Sequence, residues 1–444
     1  MPTRSALHLP LHVPLSSGSP APGPAVQLAN AESIFPHLLA RAWQDRGLES
    51  VIVSATSPRR LPAEAGDTPI IDVAFDQTRM GAWAKRMLRQ YWLPLSRAGQ
   101  RRRTAQFRRE TGLEAPQPWE TMLAPHVFNA WRVSRAASRL SPRFVFAHEV
   151  VAYGLAAARC APVPRVLFPW GADIMTTAEV SSWHYRLVRH ALRSADLIVP
   201  SSVVAARHIC ARFGVDPSRV QAISWGADLS RCRRLREDAR NELCRQWGIA
   251  PDHQVVMNVR RFLPMYNCET AVAAFLDVAQ LRPATHFVLL GGLETDRFIE
   301  AAVRKVHAHG QAVVNRFTFI RSNISLDACL ALMGIADVAV SLCGRGDMRS
   351  KSVLDAVGCG GALVVTDADE YRSMVPDGFA AEFVNPQDHT EVARVIATLL
   401  EHDALRADRA AQNARYLASH EDSDRQMDRL LEAVLAVTAH RTGH

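Results

Sequence analysis

Two carboxylates with a short polar run between them form the most informative segment of the sequence. Asp347 and Asp355 lie eight positions apart, and Arg349-Ser350-Lys351-Ser352 stands between them. A helix that begins in this run would present backbone N–H groups and the positive end of its dipole, which suit a phosphate. One carboxylate could then reach the hydroxyls of a sugar and the other those of a ribose. The pattern indicates a binding site for a nucleotide-linked sugar. The alternative is a helix with an acidic N-cap and one solvated Asp.

Short apolar runs alternate with amphipathic helical windows along the whole chain. This alternation predicts α/β architecture with two doubly wound parallel sheets, each covered by helices on both faces. Ligands of such sheets bind outside the carboxyl ends of the strands. Residues 16–30 are rich in Ser, Pro and Gly and are predicted to be a loop. Strands are predicted near 6–13, 50–54, 143–147, 165–169, 196–200, 219–224, 254–259, 285–291, 316–320, 336–342, 362–366 and 381–384.

Composition limits the class of protein. A chain of 444 residues is expected to form two domains. The eight cysteines follow no metal-binding or redox spacing, so reduced thiols and a cytoplasmic location are expected. No apolar run approaches 18 residues and the first residues make a poor signal peptide, so neither a spanning helix nor a leader is predicted.

The formal net charge of +8 is concentrated in the first half, and the only lysines are Lys85, Lys305 and Lys351. Such charge favours an anionic partner: a phospholipid surface, a lipid diphosphate or nucleic acid. Nucleic acid is set aside because no module that reads it is recognised. The window Arg79–Leu95 reads as a basic helix with Trp83 and Tyr91 at its apolar edge. It suits an anionic membrane surface, or it is a domain helix that packs its apolar face inward.

Several segments in this order resemble the GT-B glycosyltransferases, specifically the large retaining family 4 that includes sucrose synthases and bacterial mannosyltransferases. The resemblance covers most of the chain and is strongest over 255–385. It implies a GT-B fold, two Rossmann-like domains that face a cleft. The segments that carry it are 194–202, 223–228, 258–275, 285–292, 335–342 and 347–361.

The resemblance also assigns roles in the second half. Arg261 matches the family's diphosphate-binding Arg, Asp347 the carboxylate that contacts sugar hydroxyls, and Asp355 the one that binds ribose. Positioning and stabilisation of the leaving group are expected to do most of the catalytic work. The resemblance implies no metal and no cofactor beyond the nucleotide-sugar donor.

The sequence departs from the family at this site. Both family glutamates are Asp here, the family Lys that helps hold the diphosphate falls on Tyr266, and the Gly after it is Asn267. The family's double-Gly loop after the first strand is replaced by the Pro-rich residues 16–24. Lys351 is therefore a candidate for the missing cation, with a solvated Lys as the alternative. Ser350 and Ser352 are candidates for helix capping, for phosphate hydrogen bonds, or for both.

In the first half, polar residues follow two predicted strands. His148-Glu149 resembles the family's His-Glu, where the His lines the sugar pocket; a His at a strand end is also often a satisfied core group. Gly171 would permit close approach of the substrate to the backbone. Asp173 could cap a helix or bind the acceptor. We therefore assign His148, Arg261 and Asp347 as catalytic candidates and Glu149, Gly171 and Asp173 as the acceptor pocket.

Together these features predict a retaining hexosyltransferase that moves a sugar from a nucleoside diphosphate to a glycan or lipid-linked acceptor in bacterial polysaccharide or glycolipid synthesis. The predicted domains are 1–229 for the acceptor, 230–424 for the donor, and a helix over 425–444 that returns to the first domain. The predicted location is cytoplasmic, with an anionic membrane as a further partner. The departures motivate an alternative, a catalytically weak or inactive GT-B protein that acts as a binding subunit.

Overall fold

Two six-stranded parallel sheets organise the computed structural model of this protein. It describes residues 23–55, 61–73, 123–160, 162–179, 182–291, 296–321, 324–344, 346 and 349–442. Contacts divide the chain into two compact units. The first unit ends at Ile223 and also includes the chain from Arg429 onward; the second unit is Ser224–Asp428. The α/β fold with two doubly wound sheets is confirmed.

The first sheet has the strand order β3-β2-β1-β4-β5-β6. Its central strands are almost entirely buried, as expected for a parallel sheet covered on both faces. The order reverses between β1 and β4, where Leu28 lies opposite Ala147. The strands are β1 Ala25–Leu28, β2 Ser50–Ser54, β3 Ile70–Asp72, β4 Phe144–His148, β5 Arg165–Phe168 and β6 Leu197–Ile198.

Helices join these strands. A π-turn over Val150–Gly154 leads into α3, and 3-10 turns cover Ala63–Ala65, Thr177–Glu179 and Pro217–Arg219. The α-helices of this part of the chain are α1 Ile34–Gln44, α2 Leu123–Ser138, α3 Leu155–Ala158, α4 Ala172–Met175, α5 Ser182–Ser194 and α6 Val203–Phe213.

The second sheet has the order β12-β11-β10-β7-β8-β9 and reverses between β7 and β10. Alternate residues of β7 enter two separate cores: Val255 and Met257 face one, and Val256 faces the other. Helices therefore cover both faces of the sheet. The strands are β7 Gln254–Asn258, β8 Thr285–Leu290, β9 Phe317–Ile320, β10 Val338–Ser341, β11 Ala362–Thr366 and β12 Glu382–Val384.

The helices that cover the second sheet begin with α7 and end with α15, and the final helix α16 follows. Two 3-10 turns cover Pro264–Tyr266 and Val375–Asp377. The helices are α7 Glu237–Gln246, α8 Cys268–Leu281, α9 Asp296–His307, α10 Gln311–Val314, α11 Leu326–Ile335, α12 Lys351–Gly358, α13 Asp369–Arg372, α14 His389–Glu401, α15 Asp403–His420 and α16 Ser423–Thr442.

Two predictions for the first sheet are wrong. The loop predicted for 16–30 contains β1, a four-residue strand whose Gln27 is buried and hydrogen-bonded to the neighbouring strands. The loop that follows the first described strand is therefore 29–33, not the Pro-rich segment. The segment 219–224 is no full strand: the Gln221 N–H donates to the Ile198 carbonyl in β6 and the Ile223 N–H to the Pro200 carbonyl after it, but within this segment only Val220 forms a bridge. The strand predicted at 6–13 and the helix predicted at 79–95 lie outside the described residues.

Within the part of the chain that the structure describes, no helix combines the length and the apolar character needed to cross a bilayer.

Candidate functional site

The reversal of strand order in the second sheet creates a crevice at the carboxyl ends of β7 and β10. From this point the chain winds through β8 and β9 on one side and through β11 and β12 on the other. The loop after β7 leads through residues 259–267 into α8, and the loop after β10 leads through 342–350 into α12. Crevices of this kind hold the ligands of doubly wound sheets.

Hydrogen bonds tie the loop after β7 to β10 and to the loop that follows it. The Val259 N–H donates to the Val340 carbonyl at 3.0 Å, and the Gly344 N–H donates to the Met265 carbonyl at 2.8 Å. The Asn267 side chain donates to the Leu342 carbonyl at 3.2 Å. The two loops are therefore held together by backbone bonds and by one side chain.

Arg260 joins the loop after β7 to the start of α12. Its guanidinium donates to the hydroxyls of Ser350 and, at 3.2 Å, of Ser352. The carbon of the guanidinium lies 4.1 Å from the centre of the Tyr266 ring, a cation–π arrangement. Arg260 is only 8% exposed, whereas its neighbour Arg261, the predicted diphosphate ligand, is exposed.

The two serines stand at the start of α12. Ser350 is its N-cap residue, but its hydroxyl makes no capping hydrogen bond. It instead bonds to Arg260 and lies 3.0 Å from the Ser352 hydroxyl. The capping alternative for the Ser350 side chain is therefore wrong, and both hydroxyls face a buried guanidinium.

Lys351 and Asp355 bind each other one turn apart on α12. The Lys351 Nζ lies 2.7 Å from the Asp355 Oδ1, and both side chains are largely buried. Burial raises the pKa of Asp355, and the neighbouring Lys351 opposes that rise. The alternative of a solvated Lys351 is therefore wrong, and its charge is matched by a carboxylate.

A second buried ion pair anchors the segment that leads into α12. Arg349 donates to the carboxylate of Glu421, which is 1% exposed and also accepts hydrogen bonds from Ser224 and, at 3.4 Å, from Tyr416. Sequence reasoning did not find this contact. Glu421 lies far along the chain, and nothing in its local sequence distinguishes it from a surface Glu.

In the first sheet, His148 ends β4 at the other point of reversal. Its Nε2 lies 3.0 Å from the Gln27 side-chain oxygen, and Gln27 in turn donates to Ser50 at 3.2 Å. Aromatic rings of Phe146, Phe168 and Trp170 surround the imidazole. Burial lowers the pKa of His148 to about 3, so the ring is neutral at physiological pH. The imidazole is therefore a buried, neutral ring that is hydrogen-bonded through Nε2 to Gln27.

Glu149, Gly171 and Asp173 come together beside it. Asp173 accepts N–H bonds from Val150 at 2.9 Å and Gly171 at 2.9 Å, and also from Trp170. Glu149 accepts N–H bonds from the π-turn that follows it. Burial raises the pKa of Glu149 to about 8, with a further contribution from the charge of Asp173, and burial raises the pKa of Asp173 to about 6. Both carboxylates thus cap backbone turns.

The backbone here is also unusual. Gly171 has φ +101°, which favours glycine, and Glu149 has φ +80° although it carries a side chain. Outliers of this kind cluster at functional sites, because the surrounding structure must hold them in place. In the first half, Glu149, Gly171 and Asp173 therefore lie together beyond the ends of β4 and β5, and in the second half Ser350, Lys351, Ser352 and Asp355 lie together on the first turns of α12. Asp347 lies outside the described residues.

Arg260 has no role among the sequence-based assignments. It stood beside the assigned Arg261 in an Arg-rich chain, so only its three-dimensional contacts distinguish it. The one available signal was Tyr266: an aromatic ring in place of a family lysine provides a platform for a cation, and Arg260 is the cation that reaches it.

Comparisons with known proteins agree with this architecture. Residues 35–231 match the model of Glycosyltransferase Family 4, and residues 239–416 match that of Glycosyl transferases group 1. The two doubly wound sheets, together with these two matches, are those of a GT-B glycosyltransferase. The chain belongs to the group 1 glycosyl transferases of family 4 type, so the predicted family and fold are confirmed, and the retaining stereochemistry stays a prediction.

Solved structures share the fold. HepE from Anabaena in complex with UDP and glucose matches with a TM-score of 0.65 at 17% identity, over 93% of this chain and 100% of that one. Sucrose-phosphate synthase from Thermosynechococcus elongatus matches with a TM-score of 0.67 at 14% identity, over 94% of this chain and 100% of that one.

Among curated proteins, a D-inositol 3-phosphate glycosyltransferase from Geodermatophilus obscurus is 26% identical over 251 residues, 54% of this chain and 53% of that protein. A protein of the same name from Segniliparus rotundus is 24% identical over 202 residues, 42% of each chain. The alignments thus span about half the length of these relatives.

Proposed function

We propose that this glycosyltransferase is a retaining hexosyltransferase that moves a sugar from a nucleoside diphosphate to a glycan or lipid-linked acceptor in bacterial polysaccharide or glycolipid synthesis. The observation that carries the proposal is the crevice between β7 and β10. A buried guanidinium, two hydroxyls and a helix start converge there. Each of these groups favours a diphosphate.

Chemically, the crevice stabilises the leaving group. The bond between the anomeric carbon and the diphosphate oxygen breaks, and negative charge grows on the departing diphosphate. Guanidinium donors fixed in advance offset that charge without reorganisation during the reaction. In this proposal Arg261 also reaches the diphosphate, Asp355 the ribose and Asp347 the sugar. No metal is required.

The acceptor is assigned to the first sheet. There the proposal places it beside the turns held by Glu149 and Asp173, with Gly171 giving room for close approach and His148 as a wall of the sugar pocket. The curated relatives named for D-inositol 3-phosphate support an acceptor that carries hydroxyls and a negative charge. A cytoplasmic location, with contact to an anionic membrane, also belongs to this proposal.

Donor binding is the first test. Purified protein is heated with UDP, GDP, ADP and their sugar conjugates, because a ligand that binds only the native state raises the unfolding temperature by mass action. We expect one base series to stabilise the protein and its sugar conjugate to be hydrolysed slowly without acceptor. HepE bound to UDP makes the UDP series the first choice.

The same assay separates transfer from binding alone. Stabilisation by a nucleotide sugar with no hydrolysis or transfer, for any acceptor tried, would support the alternative, a GT-B binding subunit. The absence of stabilisation by every nucleotide would contradict both. An Arg304→Met variant, which removes an exposed charge on α9, is a matched control for effects of charge on melting.

A further inference from the structure

We propose that Arg260 supplies the second cation of the diphosphate site, the charge that a lysine at position 266 would otherwise carry. This inference rests on the proposed function, since it names a residue for the donor's diphosphate. Arg260 immediately precedes Arg261, so two neighbouring arginines at the end of β7 would share the two phosphates.

The location of Arg260 suits a diphosphate-binding role. It follows β7 at the point where the sheet reverses, and it reaches across to the first residues of α12, which follows β10. A diphosphate bound at this helix start would lie beside the same hydroxyls that Arg260 now contacts. The planar guanidinium can form paired hydrogen bonds to phosphate oxygens while it keeps an aromatic neighbour on its face.

Tyr266 explains how the chain functions without a lysine there. Its ring lies against the guanidinium at 4.1 Å and holds it by its face. A lysine at 266 would place a second positive charge against Arg260, and like charges at this separation repel. Arg260 and Tyr266 are therefore compatible neighbours: the ring holds the guanidinium, and the guanidinium provides the charge that the ring lacks.

Lys351 is the competing source of the charge, and its contacts weigh against it. Its amine lies 2.7 Å from the Asp355 carboxylate and 3.4 Å from the Gly226 carbonyl. A phosphate would have to compete with this carboxylate for the amine. Arg260 contacts the hydroxyls of Ser350 and Ser352 at the start of α12, and its guanidinium can keep the Tyr266 ring on its face while it binds an anion.

The test measures binding of a nucleoside, its monophosphate and its diphosphate to the full chain by calorimetry. The base is the one that stabilises the wild type, with uridine, UMP and UDP tried first. Arg260→Met removes the charge and keeps an unbranched side chain. We expect it to weaken diphosphate binding about 10- to 100-fold, the usual effect of losing a charged hydrogen-bond donor, and to leave nucleoside binding within about twofold.

A second variant moves the charge instead of removing it. Arg260→Gly combined with Tyr266→Lys places the cation where the resembling family has it. We expect this double variant to bind the diphosphate at least about tenfold more tightly than Arg260→Gly alone. Arg304→Met serves as the control that removes an exposed charge elsewhere in the same unit.

The outcomes are distinct. Equal diphosphate affinity of wild type and Arg260→Met, with circular dichroism that shows both folded, overturns the inference and leaves the proposed function intact. Parallel loss of nucleoside and diphosphate binding also overturns it, because that pattern shows a structural role. A wild type that binds no nucleoside diphosphate contradicts the proposed function itself, and the inference with it.

Discussion

At the scale of single residues, two largely buried cations lie at the start of α12. Lys351 is paired with a carboxylate on its own helix, and Arg260 contacts two hydroxyls and the Tyr266 ring. A buried ion pair contributes little net stability, but removal of one partner leaves an uncompensated charge. We therefore expect substitution of Lys351 to act through stability, whereas the proposal for Arg260 is tested through ligand binding.

Lys351→Met tests the first of these roles. We expect it to lower the free energy of unfolding by about 3 kcal/mol at pH 7, because Asp355 is left buried and unpaired. Since burial already raises the pKa of Asp355, loss of the lysine raises it further and the carboxyl takes up a proton as the pH falls. The difference in free energy of unfolding between wild type and variant, measured by urea unfolding, should therefore decrease from pH 7 to pH 5.

The matched control for that variant replaces both partners. Lys351→Met with Asp355→Leu removes the pair and should recover most of the lost stability, since apolar replacement of a buried pair is often neutral. A single variant as stable as the wild type would show that the pair is solvated in solution.

Glu149 gives a second pH dependence, again from a buried carboxyl group. Burial raises its pKa from 4.5 to about 8, so the native state keeps a proton that the unfolded chain releases between these values. Stability contributed by this group is therefore full below about pH 4.5 and falls as the pH rises through 8. Glu149→Gln, which stays neutral, should flatten this decline and exceed the wild type by at least about 1 kcal/mol at pH 8.5. The assignment would be contradicted if the free energies of unfolding of the two proteins changed in parallel between pH 5 and pH 8.5.

At the scale of elements, Asn267 shows how a departure from the family can conserve geometry. It has φ +45° and ψ +40°, the left-handed conformation, at the position where the resembling family has glycine. Asn tolerates this conformation better than other residues with a side chain. Its side chain also bonds to Leu342, so the substitution links two loops of the crevice.

Asn267→Ala and Asn267→Gly separate those two contributions. Glycine keeps the backbone but loses the hydrogen bond, and we expect it to cost about 1 kcal/mol. Alanine loses the bond and strains the backbone as well, so it should cost about 1 kcal/mol more than glycine. Thermal unfolding of the three proteins gives the order, and an alanine variant at least as stable as the glycine variant would contradict it.

The strands of the second sheet could be predicted from sequence because they are rich in apolar residues. Strands β1 and β3 could not, because β1 carries a polar Gln27 and follows a Pro-rich segment, and the three residues of β3 are not buried. The structure satisfies Gln27 through His148 and Ser50, residues far away in sequence. Local pattern does not reveal a partner of that kind.

The same limit applies to the site. Motif spacing found Ser350, Ser352, Lys351 and Asp355, which the helix does bring together. Motif spacing could not distinguish Arg260 from Arg261. Two adjacent arginines after a strand differ only in the direction in which their side chains point, and the sequence does not show that direction. Nor could it pair Arg349 with Glu421, which depends on how the chain returns after α15.

At the scale of the whole molecule, the second unit is one continuous stretch, Ser224–Asp428. Its two ends are joined to each other: the Ala227 N–H donates to the Glu421 carbonyl at 2.7 Å, and the Ser423 N–H donates to the Ala227 carbonyl at 2.9 Å. Gly226 makes this approach possible, because a Cβ there would lie 2.7 Å from the Glu421 carbonyl oxygen.

We predict that residues 224–428, expressed alone, fold cooperatively and bind the nucleoside diphosphate that the full chain binds. The unit has its own sheet and two cores of its own. Circular dichroism and urea unfolding check the fold, and calorimetry checks the ligand. A fragment that stays unfolded would show that the rest of the chain is needed for its stability.

Gly226→Ala should destabilise both the fragment and the full chain, because the new methyl group would meet backbone at 2.7 Å and the residue has φ +64°. Overpacking and a left-handed backbone together predict a loss of about 2–4 kcal/mol in urea unfolding. Gly378→Ala, at a positive φ with open space around it, is the control that carries the backbone strain alone.

The paired ends of the second unit also have a genetic consequence. A segment whose entry and exit are hydrogen-bonded to each other can be exchanged by two cuts in the gene, near codons 224 and 428. If, as proposed, the second unit binds the donor and the first unit the acceptor, chimeras that carry a relative's segment between those cuts would inherit its donor preference and keep the acceptor preference of the host chain. Recombination between family members could diversify the sugar and the acceptor independently.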